Sequence, residues 1–212
     1  MATRLVTPAA PRLPNSVLQF DRQFMDEYSR ILSLYFRQID AVNTSLLGTR
    51  GGRYLDNPYG AFSNTTTQAL TSANTPYVVN INTTDHANGT SLASNQITVA
   101  QTGLYNVQFS LQFENTTTQI TEVWVWLRTN GVDVPGTASI WAVTGSHGGV
   151  NGYTIGACNF YADLSAGDYL ELVAAANATG LNIESYTSST SPFTRPSIPG
   201  AVVTVSFVSA VP

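Results

Sequence analysis

The strongest constraint on the fold is a strict alternation of apolar and polar residues in the segment 102–113, TGLYNVQFSLQF. The apolar members are Tyr105, Val107, Phe109, Leu111 and Phe113. Alternate side chains of an extended chain point to opposite faces, so this period of two predicts a β-strand with one buried face.

Shorter runs of the same kind recur from about residue 61 to the end of the chain, separated by turn residues. They are TPYVVNI, NQITVA, TEVWVWLRTNG, ASIWAVTG, YTIGACNFYADL, GDYLELVAAA, LNIESYT and AVVTVSFV. The pair Asn130-Gly131 predicts a hairpin, and Ala166-Gly167-Asp168 predicts a second turn. Since no helical pattern lies between these runs, the eight or nine strands predict a mainly β fold, either a sandwich or a jelly roll.

The run EVWVWLR is apolar on both faces, which leaves two interpretations. In the first, Val123, Val125 and Leu127 face the interior, while Trp124 and Trp126 point outward and are covered by a neighbouring subunit. In the second, the two tryptophans face inward and another sheet or loop covers the aliphatic side chains. Two tryptophans left in water would form an unusual apolar patch, so both interpretations require a cover.

One segment, residues 16–47, predicts an amphipathic helix. Asn15 or Ser16 can cap its start, Asp21 offers an alternative start, and Gly48 can end it. Its apolar residues follow the three-four spacing of a coiled-coil seam, widened by Phe24, Ile31 and Phe36; they are Met25, Tyr28, Leu32, Tyr35, Ile39 and Val42. The helix either lies on its own domain or packs against another chain, and in both cases this face must be covered.

The remaining segments complete the domain organisation. Residues 1–15 contain Pro8, Pro11 and Pro14 and predict an extended arm with polyproline-like stiffness. Residues 48–60 predict a Gly- and Arg-rich linker, and residues 61–212 the β domain, here called the head.

Charge is scarce and unevenly placed, with no lysine in the chain. Residues 1–53 hold seven arginines and four acids, a net charge of +3, whereas the remainder holds two arginines and nine acids, a net charge of −7. This asymmetry predicts that the two parts face different partners. Seven arginines spread over this length do not form a basic patch, so we expect no nucleic acid partner. No run reaches the roughly 18 apolar residues of a membrane span, and no secretion signal opens the chain, so we expect a protein made in a host cytoplasm.

Residues that could carry chemistry are few. His86 and His147 are predicted to lie in turn-like loops without metal-ligand spacing, and the single cysteine, Cys158, alternates like a buried strand residue. There is no nucleophile elbow, no phosphate-binding glycine loop and no HExxH motif. We therefore expect no enzymatic activity, no metal and no cofactor.

Taken in order, the motifs of the β region resemble those of the C1q/TNF-like jelly-roll family. The matching positions are Gly103, Tyr105, Asn130, Gly131, Leu164, Gly167, Asp168, Leu170 and Leu172. The resemblance implies a jelly-roll sandwich that forms a homotrimer, preceded here by the arm and the helix. It places Tyr105, Phe109, Trp124 and Trp126 at the trimer interface.

The N-terminal segment is similar to segments that open structural proteins of tailed bacteriophages, including those of cyanobacteria. The matching positions are Asp21, Phe24, Met25, Ile31, Leu32, Tyr35, Phe36, Gln38, Ile39 and Asp40. The resemblance implies a virion protein, and it makes the segment the part that docks on the particle. The predicted docking residues are Arg4, Arg12, Arg22, Tyr28, Tyr35, Phe36 and Ile39.

Together the two resemblances imply a homotrimeric capsid decoration, or cement, protein. Its arm and helix would bind the major capsid protein or another virion protein, and its jelly roll would project from the capsid exterior. The alternative is a trimeric tail or head fibre, or a receptor-binding tip. In that case Tyr153, Tyr186 and the loop around His147 would contact a host surface receptor, since aromatic faces stack on sugars.

Overall fold

A computed structural model describes residues 10–13, 15, 19, 21–47 and 57–210. The chain divides into two compact units, Met1–Asp56 and Asn57–Pro212. Within the described residues, no helix is long and apolar enough to cross a membrane.

In the first unit, the helix α1 spans Arg22–Leu47. The carboxylate of Asp21 accepts a 2.9 Å hydrogen bond from the backbone N–H of Gln23. Asp21 therefore caps the helix, since its side chain satisfies a backbone donor of the first turn that has no partner within the helix. The helix begins at the alternative start, six residues after the predicted boundary at residue 16; Ser16 and Gly48 lie outside the described residues.

The second unit, the head, is built from strands. They are β1 (Tyr59–Asn64), β2 (Gln68–Leu70), β3 (Tyr77–Val78), β4 (Thr83–Asn88), β5 (Thr90–Ala93), β6 (Gln96–Val99), β7 (Gly103–Asn115), β8 (Thr121–Thr129), β9 (Val132–Asp133), β10 (Ser139–Val143), β11 (Gly152–Leu164), β12 (Tyr169–Ala176), β13 (Leu181–Ile183) and β14 (Ala201–Ser209). The first strand starts at Tyr59, within the predicted linker, because its residues pair with β14 on one side and β4 on the other.

These strands form two antiparallel sheets packed as a sandwich. The first sheet has the order β2-β13-β7-β14-β1-β4, and β11 pairs with the other edge of β7. The second sheet has the order β10-β8-β12-β6-β5, with β3 paired to β12 and β9 paired to β8. The predicted mainly β sandwich with an N-terminal helix is confirmed at this level.

The core lies between the two sheets, and the alternation of the sequence fills it. The five apolar residues predicted to share one face of β7 are all buried. On β8, Val123, Val125 and Leu127 are buried as well, so the aliphatic set faces inward and the tryptophans face outward. The structure thus decides between the two interpretations of EVWVWLR in favour of the first orientation.

Both predicted turns are present. Asn130 and Gly131 have φ values of 51° and 79°, the left-handed pair that a type I′ hairpin requires. Gly167 has a φ of 93° in the turn between β11 and β12. Cys158 lies on β11 and is half-buried, with its Sγ 3.3 Å from the hydroxyl of Ser139.

Candidate interaction surfaces

The apolar stripe of α1 is the first candidate surface. None of the side chains described between residues 22 and 44 is buried, and the stripe residues are half-buried or exposed. Two aromatic pairs lie along the helix: Phe24 stacks on Tyr28 with ring centroids 6.2 Å apart, and Tyr35 lies 6.0 Å from Phe36. The pairs add aromatic area to the apolar stripe of the helix.

The predicted docking residues are distributed along this unit. Arg12 and Arg22 are exposed, and the Arg22 guanidinium lies 3.9 Å from Asp26, one helical turn on. Phe36 is exposed and Ile39 is half-buried. Arg4 lies outside the described residues.

Two of the residues predicted at the trimer interface are corrected by the structure. Tyr105 has no exposed surface, and Phe109 is 3% exposed. The Tyr105 hydroxyl donates to the backbone oxygen of Gln101 at 2.7 Å, and the Phe109 ring packs against Trp141 and Phe160. Both side chains belong to the interior of one head, because the buried face of β7 is the face to which their alternation assigns them.

The outward tryptophans form a second candidate surface, an open groove on the outer face of the second sheet. It is called the tryptophan groove here and is lined by Trp124, Trp126, Asp133, Val134, Pro135, Gly136, Ala138 and Ala175. Its volume is about 500 Å³. Beyond the groove, Ile140 pairs with Trp124 across the strands and is exposed. The apolar outer face of this sheet therefore extends from β8 to its edge strand.

One acidic side chain, Asp133, stands among the groove residues. Its Oδ1 accepts a 2.8 Å hydrogen bond from the indole N–H of Trp126 and another of 2.8 Å from Nε of Arg128. These two donors lower the pKa of the Asp133 carboxyl below its ordinary value, the indole contributing most. The Asp133 side chain is 58% exposed, so the ionised carboxylate can still be reached from solution.

The outer face of the first sheet is a third candidate surface, which the sequence analysis did not single out. Ile155 and Tyr161 on β11 are 60% and 66% exposed. Between the strands, the amide of Asn106 donates to Asn159 at 2.7 Å. The signal was present in the alternation of YTIGACNFYADL, which places these two large apolar residues opposite the inward-facing Cys158 and Phe160.

A polar cluster around Glu114 forms at the end of the first sheet. Glu114 is 8% exposed, and its Oε1 accepts hydrogen bonds from Asn151 at 2.8 Å, from Tyr186 at 3.1 Å and from Tyr153 at 3.2 Å. Asn182 donates to Oε2 at 3.4 Å. Tyr153 and Tyr186, the two aromatic residues predicted to contact a receptor, therefore lie next to each other. The role of Glu114 was not predicted, because no motif in the neighbouring sequence indicates it.

The cluster contains a second carboxylate, Glu184, whose pKa shifts in the opposite direction to that of Glu114. Burial works to raise the pKa of Glu114, but its four hydrogen bonds outweigh burial and hold that pKa below the ordinary value. For Glu184, burial and the negative charge of Glu114 raise the pKa, although the hydroxyl of Thr67 donates to it at 2.8 Å and opposes the shift. Burial raises the pKa of the Tyr186 phenol, and the Arg195 guanidinium lies 5.5 Å from the centre of its ring.

The two histidines occupy different settings. His147 lies in a loop where it forms an isolated bridge with Val150, whereas His86 lies on β4 and pairs with Ala61. The prediction of a loop for His86 is therefore wrong, because the irregular pairing of β1 with β4 extends the strand through it. In the part of the chain that the structure describes, no three His, Cys, Asp or Glu side chains come together as a metal site.

No protein-family model matches the chain, and no curated protein sequence matches it.

Proposed function

We propose that the protein is a non-enzymatic structural protein of a tailed bacteriophage. In this proposal it is a homotrimeric capsid decoration protein: the arm and α1 bind the capsid surface, and the head projects outward. The observation that carries the proposal is the apolar stripe of α1. None of the side chains described between residues 22 and 44 is buried, so the stripe is at most partly covered. A helix with an uncovered apolar stripe needs a partner surface, because most helical stability in water comes from packing an apolar face.

The strand order supports a jelly roll as the finer description of the head. One sheet contains β4, β1, β14, β7 and β11 in that order, and the other contains β5, β6, β12, β8 and β10. The chain passes between the two sheets from β6 to β7, from β7 to β8, from β10 to β11 and from β11 to β12. Repeated crossing between two antiparallel sheets is the pattern of jelly-roll domains.

Contact between heads would stabilise the trimer. The outer face of the first sheet offers the exposed side chains of Ile155 and Tyr161 for this contact. A stable contact between subunits removes on the order of 1,000 Å² or more from water, and exposed apolar side chains are its main source of free energy. The low content of charged residues, 10%, suits such contacts, since charges are depleted from interface centres.

The charge distribution supports attachment through the N-terminal part. The excess of positive charge in residues 1–53 would complement an acidic particle surface, and complementary charge speeds and orients docking. An extended arm that orders on docking covers much surface for its length.

A receptor-binding tip is the second candidate, and the Glu114 cluster favours it. The phenol oxygens of Tyr153 and Tyr186 lie 3.4 Å apart, and the Tyr153 side chain is exposed at the surface. Aromatic rings held beside carboxylate and amide groups provide both stacking and hydrogen bonding. A host glycan is the class of receptor that this combination suits.

The copy number of the protein in purified particles, measured by quantitative mass spectrometry against the major capsid protein, separates these functions. The decoration role predicts hundreds of copies in a fixed ratio to capsid subunits. A few to a few dozen copies would place the protein on the tail or at a vertex and support the receptor-binding role. If purified particles contain none, both functions are wrong.

A further inference from the structure

The tryptophan groove restricts the kind of partner that it can accept. The strand β8, which carries both tryptophans, pairs with β10 on one side and with β12 on the other. Its backbone hydrogen bonds are used within the sheet, so a partner cannot add to it as a further strand. Recognition must therefore come from the side-chain faces, chiefly the indole rings of Trp124 and Trp126 and the ring of Pro135.

Proline-rich segments are the class of ligand that such a surface suits. A polyproline II helix has no internal hydrogen bonds and is already extended, so it loses little conformational entropy on docking. Aromatic-lined grooves bind these segments by contact with the proline rings. The groove offers this chemistry over about 500 Å³, with Asp133 as its charged residue.

The chain itself contains a segment with the complementary pattern. Pro8, Pro11 and Pro14 recur at intervals of three residues. Since polyproline II has three residues per turn, a segment in that conformation would carry the three rings along one side. Arg12 lies between two of the prolines and is exposed, and its positive charge complements the exposed carboxylate of Asp133.

We propose that the tryptophan groove binds the proline-rich arm, residues 8–14, of a second copy of this chain. A second copy is favoured over the same chain because the proposed homotrimer brings neighbouring copies together, and in this respect the inference rests on the proposed function. Arms exchanged between copies would link neighbouring heads. In this arrangement the arm, with Arg12, binds a neighbouring head instead of the capsid, and α1 alone binds the capsid surface.

A peptide titration on the purified full-length protein tests the groove. In the acceptor protein, Pro8, Pro11 and Pro14 are replaced by alanine, so that its own arm cannot compete. The probe is a synthetic peptide of residues 6–15, VTPAAPRLPN, and the signal is tryptophan fluorescence. We expect a saturable change in emission with this peptide and none with a peptide whose three prolines are alanines. Equal binding of the two peptides, or no change with either, would overturn the proposal.

Two further variants of the acceptor locate the binding site. Ala138→Arg fills the groove and adds a charge that repels Arg12, without altering either tryptophan, so we expect binding to weaken at least tenfold. Asp133→Asn removes the negative charge that attracts Arg12 and that pairs with Arg128, so it should weaken binding about two- to fivefold. Unchanged affinity in the Ala138→Arg protein, with its circular dichroism spectrum intact, would rule out the groove.

Disulfide trapping shows which copy supplies the arm. In a Cys158→Ala background, a Pro11→Cys chain is mixed with a Pro135→Cys chain and oxidised. A disulfide-linked species with the mass of two chains, one of each variant, is the expected product. If the double variant instead forms the bond within one chain and the mixture forms none, the assignment to a second copy is wrong. If neither forms a bond, the arm does not occupy the groove.

Discussion

The side-chain amide of Asn130 donates a 2.8 Å hydrogen bond to the carboxylate of Asp168, which lies 38 residues further along the chain. Asn130 also accepts a 3.0 Å bond from the backbone N–H of Tyr169, and the second oxygen of Asp168 accepts one of 2.8 Å from the backbone of Ser165. The two turns that the sequence predicts separately are therefore joined at one end of the second sheet. Asp168 holds the backbone of its own turn, and Asn130 binds the turn of Asp168 through both polar atoms of its side chain, so each turn helps to fix the other.

This joint makes a prediction for Asn130. Asn130→Ala loses both side-chain hydrogen bonds and forces alanine into a left-handed conformation, so it should lower the free energy of unfolding by about 2–4 kcal/mol. Asn130→Gly loses the same hydrogen bonds but tolerates the φ of 51°, so it should cost about 1–2 kcal/mol less than the alanine variant. Urea unfolding of the two variants measures the difference. Equal stabilities would show that the backbone conformation contributes nothing there.

The carboxylates of the Glu114 cluster should respond to pH in opposite ways. The pKa of Glu114 is lowered in the folded protein, so its stabilising contribution is present above the ordinary pKa of 4.5 and declines as the pH falls through the lowered value. The pKa of Glu184 is raised, so its protonated form stabilises the fold and that contribution declines as the pH rises through the raised value.

Glutamine variants separate these contributions. Glu114→Gln should cost about 1.5–3 kcal/mol at neutral pH, since it replaces a buried acceptor of several hydrogen bonds. Glu184→Gln resembles the protonated acid, so it should leave the stability unchanged or increase it at neutral pH. Urea unfolding between pH 3 and pH 8 tests both, since the contribution of Glu114 declines only below pH 4.5. A destabilised Glu184→Gln protein at pH 8 would contradict the assignment.

The correction to the trimer interface predicts that Phe109 acts through the core. Phe109→Ala should cost about 3–5 kcal/mol of stability within one head, because it empties a site packed by two aromatic rings. The matched control is Gln108→Ala, one residue away on the exposed face of the same strand, which should change stability by less than about 0.5 kcal/mol. If Phe109→Ala separates subunits without loss of stability within the head, the residue is an interface residue after all.

The outer face of the first sheet should carry a contact between heads. In the proposed trimer, the charged substitutions Ile155→Asp and Tyr161→Asp place unpaired charges in an apolar contact and should shift the mass from trimer to monomer. Light scattering coupled to size-exclusion chromatography gives the mass directly. The control is Val150→Asp, an equally exposed apolar residue in the loop of His147, which should leave the mass unchanged. Trimers that persist in both test variants would move the contact to another face.

The proposed function predicts that the apolar stripe of α1 binds the particle. Replacing Tyr35 and Ile39 by aspartate should release the protein from particles while the head remains folded, since both substitutions charge the stripe. The control replaces Ser33 and Thr44 by aspartate, which adds the same charge at two exposed positions outside the stripe. Sedimentation of particles with the variant proteins measures retention. If the double variant stays bound but the free protein loses its trimer, the helix joins subunits rather than docking.

Several features were predictable because they are properties of adjacent residues. The period of two in β7 requires no knowledge of the partner strands, and the left-handed preference of Asn130-Gly131 is local. Most of the helix could also be predicted from the sequence, but its first residue could not. Asp21 and the earlier capping candidates are similar in propensity, and packing and solvation around each decide which one begins the helix.

Pairing over long distances decided the remainder. Nothing in EVWVWLR determines which face turns inward, because both are apolar; the position of β8 between β10 and β12, above the core side chains of β7, determines it. The Glu114 cluster likewise draws Asn151, Tyr153, Asn182 and Tyr186 from segments that meet only in the folded head. The sequence by itself therefore determined the strands, the turns and the apolar side of the helix, which arise from local periodicity and backbone preference. The tertiary structure decided which residues form the core and which form surfaces, because burial depends on the neighbours that the chain brings together.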